Sequence, residues 1–356
     1  MTAPIFFIAA HCSIIFTAYT RSILATTDYG HWEPACINMV VELVLLLFLL
    51  QGLRKAGSLD YSDLFLPLGK WISTALLLPL IIYILIIPIL SVRFFAELMQ
   101  IVFISRSPLY AILALLCLLM LFGSSIGPQG IMRASTLTTL INMPILLFAL
   151  SACLTNSKFV KIYPLVNLSM DFLVEGKMLT TLFSICPFLL LGMLPPICKV
   201  QMKSILFTLL PIALLYISIV YIPILIYGVN AAKVLNFPLM TSLDTVNITW
   251  SIFNRISLFY AVALLAFVMT LSTFSLWSTT LMLHKMIPRW QEKYIRSGLT
   301  LIVYVVSLLI PSWNKYVEIF TKDTWFRLMI YMIIPVAVYF RGRFIESQER
   351  KRVLLK

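Results

Sequence analysis

The chain has 356 residues, 61% of them hydrophobic and only 12% charged, with 27 Lys and Arg against 14 Asp and Glu for a formal net charge of +13. With a mean hydropathy of +0.99, this composition excludes a water-soluble globular chain: backbone groups placed in lipid must be satisfied within their own segment, and helices do this. The positive balance requires no nucleic acid, because a basic face beside anionic lipid headgroups accounts for it.

Ten apolar stretches, most of them 16 to 28 residues long, predict ten membrane helices: Pro4–Thr20, Pro34–Leu53, Trp71–Val92, Leu109–Phe122, Ala134–Ser157, Met178–Cys198, Ser204–Val229, Ile256–Leu283, Ser297–Asn314 and Trp325–Phe340. The first is a retained helix and not a signal peptide, since His11, Tyr19 and Arg21 interrupt it and no small-residue cleavage site follows a basic start. Residues 1–340 therefore read as one all-α polytopic transmembrane domain, with approximate halves 1–157 and 178–340. Residues 341–356 read as a basic cytoplasmic tail. Cytoplasmic loops retain Lys and Arg during insertion. Placing both termini inside collects sixteen of the 27 basic residues there and leaves eight on the opposite face. Trp71, Trp250, Trp313 and Trp325 near span ends read as interfacial anchors.

Six cysteines (Cys12, Cys36, Cys117, Cys153, Cys186 and Cys198) show no CxxC or Cys/His ligand spacing, so neither a disulfide framework nor a metal site is predicted. No GxSxG, HExxH or P-loop occurs, and only His11, His31 and His284 are present. The chain is read as a non-enzyme without a cofactor.

Two spans carry irregular sequence at matching places. In the first, Thr17-Ala18-Tyr19-Thr20-Arg21-Ser22 interrupts the apolar run; in the sixth, Ser184-Ile185-Cys186-Pro187 places a proline inside it. Spans one and six open two five-helix halves of opposite orientation, so an inverted repeat with broken first helices would put a small-solute site at the midplane. The plainer reading makes Pro187 an ordinary kink and Thr17–Ser22 the end of a short span.

The succession Leu53-Arg54-Lys55, Asp60-Tyr61-Ser62-Asp63, Leu68-Gly69-Lys70 and Arg93-Phe94-Phe95-Ala96-Glu97 resembles the B subunit of bacterial spore germinant receptors. Gly127-Pro128-Gln129-Gly130-Ile131-Met132-Arg133 with Asn142-Met143-Pro144, Tyr163-Pro164-Leu165 with Glu175-Gly176-Lys177, and Asn236-Phe237-Pro238-Leu239 with Asn254-Arg255 continue the resemblance in order. It covers nearly the whole chain and implies membership of the amino acid–polyamine–organocation transporter superfamily, with its five-plus-five inverted repeat. The chain departs from the family pattern in having no glycine-rich break in span one, and in carrying Asn254 and Ser257 where acidic neighbours are usual.

On this reading the ligand-binding candidates are Thr17, Ala18, Tyr19, Thr20, Phe183, Ser184, Ile185 and Cys186, with Tyr19, Phe183 and Ile185 as walls. Arg21 is either a snorkelled interfacial residue or a group that holds an anionic ligand. Glu42 lies mid-span, where a carboxylate must be protonated, paired or wet, and His11 is its candidate partner. The eighth span carries Thr270, Ser272, Thr273, Ser275, Ser278, Thr279 and Thr280; Thr270 and Thr273 are candidates for an ion or water path, or else small residues that let helices pack. Arg93 and Glu97, four apart, read as a structural ion pair.

The expected function is that of a receptor subunit that binds a small germinant, an amino acid above all, and acts with A-type and C-type (lipoprotein) partner subunits in the spore inner membrane or bacterial cell membrane. The alternative is a stand-alone amino-acid or organic-cation transporter of the same superfamily.

Overall fold

The computed structural model describes residues 2–57, 59–173, 176–195, 201–246 and 256–354. Among the described residues, and besides short 3-10 turns such as Leu66–Leu68 and Phe159–Ile162, the helices are α1 (Thr2–Leu24), α2 (Trp32–Lys55), α3 (Tyr61–Phe65), α4 (Lys70–Val102), α5 (Leu109–Ser125), α6 (Pro128–Cys153), α7 (Lys177–Met193), α8 (Met202–Tyr227), α9 (Val229–Val234), α10 (Pro238–Asp244), α11 (Ile256–Met286), α12 (Glu292–Leu309), α13 (Trp313–Lys322) and α14 (Thr324–Leu354). No strand occurs among the described residues.

Seven of these helices (α1, α2, α4, α6, α8, α11 and α14) are long and apolar enough to cross a membrane; α5 and α7 are apolar but shorter. α12 coincides with the ninth predicted stretch but carries Glu292, Lys293 and Arg296 in its first turns. At 33 residues, α4 is about 50 Å long, well beyond the ~30 Å of a hydrocarbon core, so it either tilts or projects.

Several boundaries differ from the sequence expectation: the third stretch, predicted to end at Val92, runs to Val102, and the fifth, predicted from Ala134, begins at Pro128. The ninth stretch, predicted as Ser297–Asn314, begins at Glu292 and stops at Leu309, because Ile310 precedes Pro311 and is held extended (ψ 104°). α13 then starts at Trp313, with Ser312 as its N-cap accepting from the Lys315 amide. The tenth stretch does not end at Phe340: the helix runs through the expected tail to Leu354, carrying Arg341, Arg343 and Arg350 on a helix. The end of the predicted sixth stretch, with Cys198, lies outside the described residues, as do Glu175, Trp250, Asn254 and Arg255.

α11 is the central element, packed against α1, α4 and α6. Phe274 meets Phe6 of α1 with ring centroids 4.4 Å apart. Much of its hydroxyl-rich run folds back on its own carbonyls: Thr270 donates to Ala266, Ser278 to Phe274 and Thr280 to Leu276. Thr273 packs over Gly123 of α5, where a Cβ would lie 2.9 Å from its methyl group. Thr273 in this way lets α11 and α5 approach closely.

Charged side chains gather at the two ends of the bundle. At one end Lys285 binds Asp60 and Asp63 (2.6 and 2.7 Å), Lys55 binds Glu346 (3.2 Å) and Arg341 donates to the Leu64 carbonyl. At the other, Lys233 pairs with Asp28, Asn156 donates to the Thr245 carbonyl, and Arg93 pairs with Glu97 while also donating to the Ile310 carbonyl.

Candidate functional site

α1 does not break; it widens. A π-helical segment spans Ile15–Tyr19 and α-helix resumes at Thr20, so the irregularity starts two residues before the predicted Thr17. Hydroxyls take up the loosened ladder: Thr17 donates to Ile14 (2.6 Å), Ser22 to Ala18 (3.1 Å), and Tyr260 of α11 to the Phe16 carbonyl (2.8 Å). Thr20 reaches the Ile219 carbonyl of α8 at 3.3 Å. A π turn of this kind marks functional sites more often than chance.

α7 is more broken. Lys177–Thr181 is α-helical, Leu182–Ile185 tightens to a 3-10 turn, Pro187–Leu190 returns to α, and Leu191–Met193 tightens again. Carbonyls along it are therefore met by side chains from three other helices. Arg327 of α14 donates to Thr180 (2.8 Å), Tyr216 of α8 to Ser184 (2.8 Å) and Tyr61 of α3 to Leu189 (2.7 Å). Irregular backbone at membrane depth is tolerated where protein or a cavity satisfies it.

The two irregular segments flank the same space. Thr17, Phe183 and Cys186 line a chamber of about 30 Å³ with Tyr83, Tyr316, Asp323 and Arg327. A larger cavity of about 150 Å³, bounded by Ala18, Arg21, Ser22, Lys177, Thr180 and Trp313, lies on the other side of Tyr316, which lines both. Arg327 and Asp323 form a buried ion pair, and the guanidinium sits 5.8 Å from the centre of the Phe183 ring.

The remaining candidates turn elsewhere. Tyr19 packs edge-on against Tyr216 (4.5 Å), Ser184 donates to its own helix at Thr181, and Ile185 is fully buried in the core. Tyr19 and Ile185, expected as walls, line neither cavity; Phe183 does. Thr270 and Thr273 are held on α11 and face neither chamber. Arg21 donates to the Asn236 side chain (2.6 Å) and lies over the Trp313 ring at 5.5 Å.

His11 and Glu42 meet at 2.8 Å, and both side chains are completely buried. His11 Nδ1 lies 2.9 Å from the Phe7 carbonyl, which only accepts, so Nδ1 carries a proton. A single proton then occupies the His11 Nε2···Glu42 Oε1 contact, on either partner, and the pair is neutral overall. The second Glu42 oxygen, Oε2, is buried without a hydrogen-bond partner. Next to this pair, Asn38 of α2 donates to Thr181 of α7 at 2.9 Å, linking α2 to the irregular helix.

Sequence reasoning missed Tyr216, Asn38, Thr181, Tyr316 and the Asp323–Arg327 pair. The signal for Arg327 was present, a cation inside an apolar stretch; the others are ordinary membrane-helix residues until the helices are assembled.

The profile of the family described as spore germination protein matches residues 5–317, most of the chain. The chain belongs to that family. The match runs from the start of α1 into α13 and takes in both irregular helices, while Thr321 of the larger cavity and Asp323 and Arg327 of the smaller chamber lie beyond it. A comparison with curated proteins finds no match. Together with the seven long apolar helices, family membership makes this a multi-pass membrane protein associated with spore germination.

Proposed function

We propose that the chain is the integral-membrane subunit of a spore germinant receptor, and that a small nutrient, an amino acid above all, binds between the π turn of α1 and the 3-10 turn of α7. The observation that carries this reading is the shared space: Thr17 on one irregular segment and Phe183 and Cys186 on the other line one small chamber, while Ala18 and Thr180 of the same two helices line the adjoining cavity of about 150 Å³, large enough for a small ligand, in a family defined by germination. Free or side-chain-capped backbone groups at such a place supply ligand contacts without burying a full charge. The full architecture under this reading is ten crossings in two inverted halves, with both termini cytoplasmic and the spore inner membrane as location. A-type and C-type subunits carry the signal onward. A ligand acting as trigger must bind two states of the bundle unequally.

Ala18→Leu and Ser184→Leu test the site. Ala18 lines the larger cavity, so added bulk there narrows the space, while Ser184 lies buried in the 3-10 turn that carries Phe183, so added bulk there displaces that wall. With both variants at normal membrane abundance, the ligand concentration for half-maximal germination should rise about tenfold or more, the cost of roughly 1.4 kcal/mol of steric loss. Unchanged sensitivity in both moves the site elsewhere.

The topology has its own check. Reporter fusions after Asn156 and after Lys356 should lie on opposite sides of the membrane, because five crossings separate them in this scheme. A common side refutes it. Uptake of labelled amino acid into liposomes holding only this chain would favour the transporter reading.

A further inference from the structure

We infer that the apolar groove between α6 and α8 is the site of one anionic phospholipid, with an acyl chain lying along the two helices and the headgroup held by Lys158 and Lys161. The groove shares no lining residue with the cavities beside the irregular helices, and the inference does not depend on the ligand site proposed there.

The groove has a volume of about 630 Å³. One wall is a face of α6, with Leu147, Leu150, Ser151 and Leu154, and the other a face of α8, with Leu215, Ser218, Ile222 and Leu225, each set recurring every three or four residues. The two serine hydroxyls donate back to their own helices, at Phe148 and Leu214, so the walls ask for no polar occupant. Length decides what fits. Leu215 to Leu225 is about 15 Å of helix, half of the ~30 Å hydrocarbon core. Phe159, Ile162 and Leu165 roof one end, and the roof is fastened: Trp32 Nε1 donates to the Leu165 carbonyl at 2.8 Å and the Lys158 amide to the Leu225 carbonyl at 2.9 Å. A partner's membrane helix needs the full thickness and meets the roof. An acyl chain of one leaflet needs half of it and ends at the midplane.

Because lipid tails are as apolar as the groove, seating a chain there gives little preference by itself, and selection falls to the headgroup. Lys158 and Lys161 stand at the roofed end, where the headgroup of a lipid so placed arrives. Lys158 is exposed, and among the described residues neither lysine is paired with a carboxylate, unlike Lys55, Lys233 and Lys285. The Lys161 ammonium gives one of its three protons to the Ile226 carbonyl at the end of α8, which positions the charge without neutralising it. Basic groups beside a cleft between membrane helices attract anionic headgroups in this way. The chain that continues from the roof also reaches the junction of α1 and α2, where the Asn167 side chain donates to Thr27 (3.0 Å) and its amide to Glu33 (2.9 Å). A lipid seated in the groove therefore braces this segment against the ends of α1, α2 and α8.

The test uses the purified full-length protein in detergent, with bound lipid counted by native mass spectrometry. The probes are dioleoylphosphatidylglycerol and dioleoylphosphatidylcholine, which share their chains and differ in headgroup charge. One phosphatidylglycerol should bind about 5- to 25-fold more tightly than phosphatidylcholine, as for roughly fivefold per lysine. Lys158→Gln/Lys161→Gln should remove the preference and Lys158→Arg/Lys161→Arg should keep it, which separates the charge from the bond to Ile226. Ser218→Trp, which fills the groove, should release the tightly held phosphatidylglycerol. Trp32 lines the groove, so brominated phosphatidylglycerol in phosphatidylcholine nanodiscs should quench the fluorescence of the native protein more than that of Trp32→Phe. Should Ser218→Trp fail to accumulate, the lysine variants and the quenching decide. Equal binding of the two lipids, a preference that survives the double glutamine variant, retention unchanged by Ser218→Trp, or quenching unaffected by Trp32→Phe would each overturn the inference. So would a protein complex in the native membrane that Ser218→Trp dissociates, which would give the groove to a partner helix.

Discussion

Substituting Gly342 by leucine is expected to deplete the protein from the membrane several-fold. α2 and α14 cross at two glycines, the most extensive helix pairing in the bundle. A Cβ on Gly342 would overlap the Gly52 carbonyl oxygen, and one on Gly52 would lie 2.7 Å from the Val338 carbonyl and the Tyr339 amide. These are backbone atoms and cannot rotate aside, so the helices must separate. Separation also releases the Phe48–Tyr339 edge contact at 5.4 Å and the Lys55–Glu346 ion pair. Overpacking costs about 1–3 kcal/mol where side chains can yield, and more where backbone must move. Gly298→Leu is the control, since a Cβ there meets nothing within 4 Å. Immunoblots of membrane fractions should show Gly298→Leu at native level and Gly342→Leu strongly reduced; equal levels would show that close approach at this crossing is dispensable.

The second large effect is expected at Glu42. Replacement by leucine leaves His11 Nε2 buried without a partner, at a cost of about 1–3 kcal/mol. Glu42→Gln retains a donor for Nε2 and should accumulate normally, but it cannot exchange a proton with the imidazole. Under the proposed function the pH dependence of germination should therefore change in Glu42→Gln. His31 does not confound the profile, because burial and then the charge of Lys233 push its pKa down to about 4, leaving it neutral throughout the range. A Glu42→Gln profile identical to the native one would reduce the pair to a structural hydrogen bond.

The helices themselves were legible in the sequence because hydrophobic runs of membrane length have few alternative readings. The pairing of His11 with Glu42 was also legible, since an ionisable group in an apolar span needs a partner and few were on offer. The faces of the irregular segments were not. Tyr19 and Phe183 sit beside each other, with centroids 6.3 Å apart, yet only Phe183 reaches the chamber, because the π turn rotates Tyr19 towards Tyr216. Sequence composition announces an interruption but not whether the helix opens, tightens or widens there. The end of the tenth stretch was misjudged for a related reason: charges at Arg341 and Arg343 mark the edge of the apolar run, while the backbone has no cause to stop.

The widened turn in α1 has a mechanical meaning as well. A π turn takes in one residue more than an α turn, so every side chain beyond it is set back by roughly 100° around the axis, the angle of one residue. Arg21 owes its place on the wall of the larger cavity to that offset. If the extra residue were wound out, with no rigid movement of the helix at all, the guanidinium would swing away from Trp313 and Asn236 while Phe6, His11 and the rest of the inner half stayed where they are. The first helix is in this sense a shaft with a slipping joint, able to turn its outer end independently of the inner end anchored on α11.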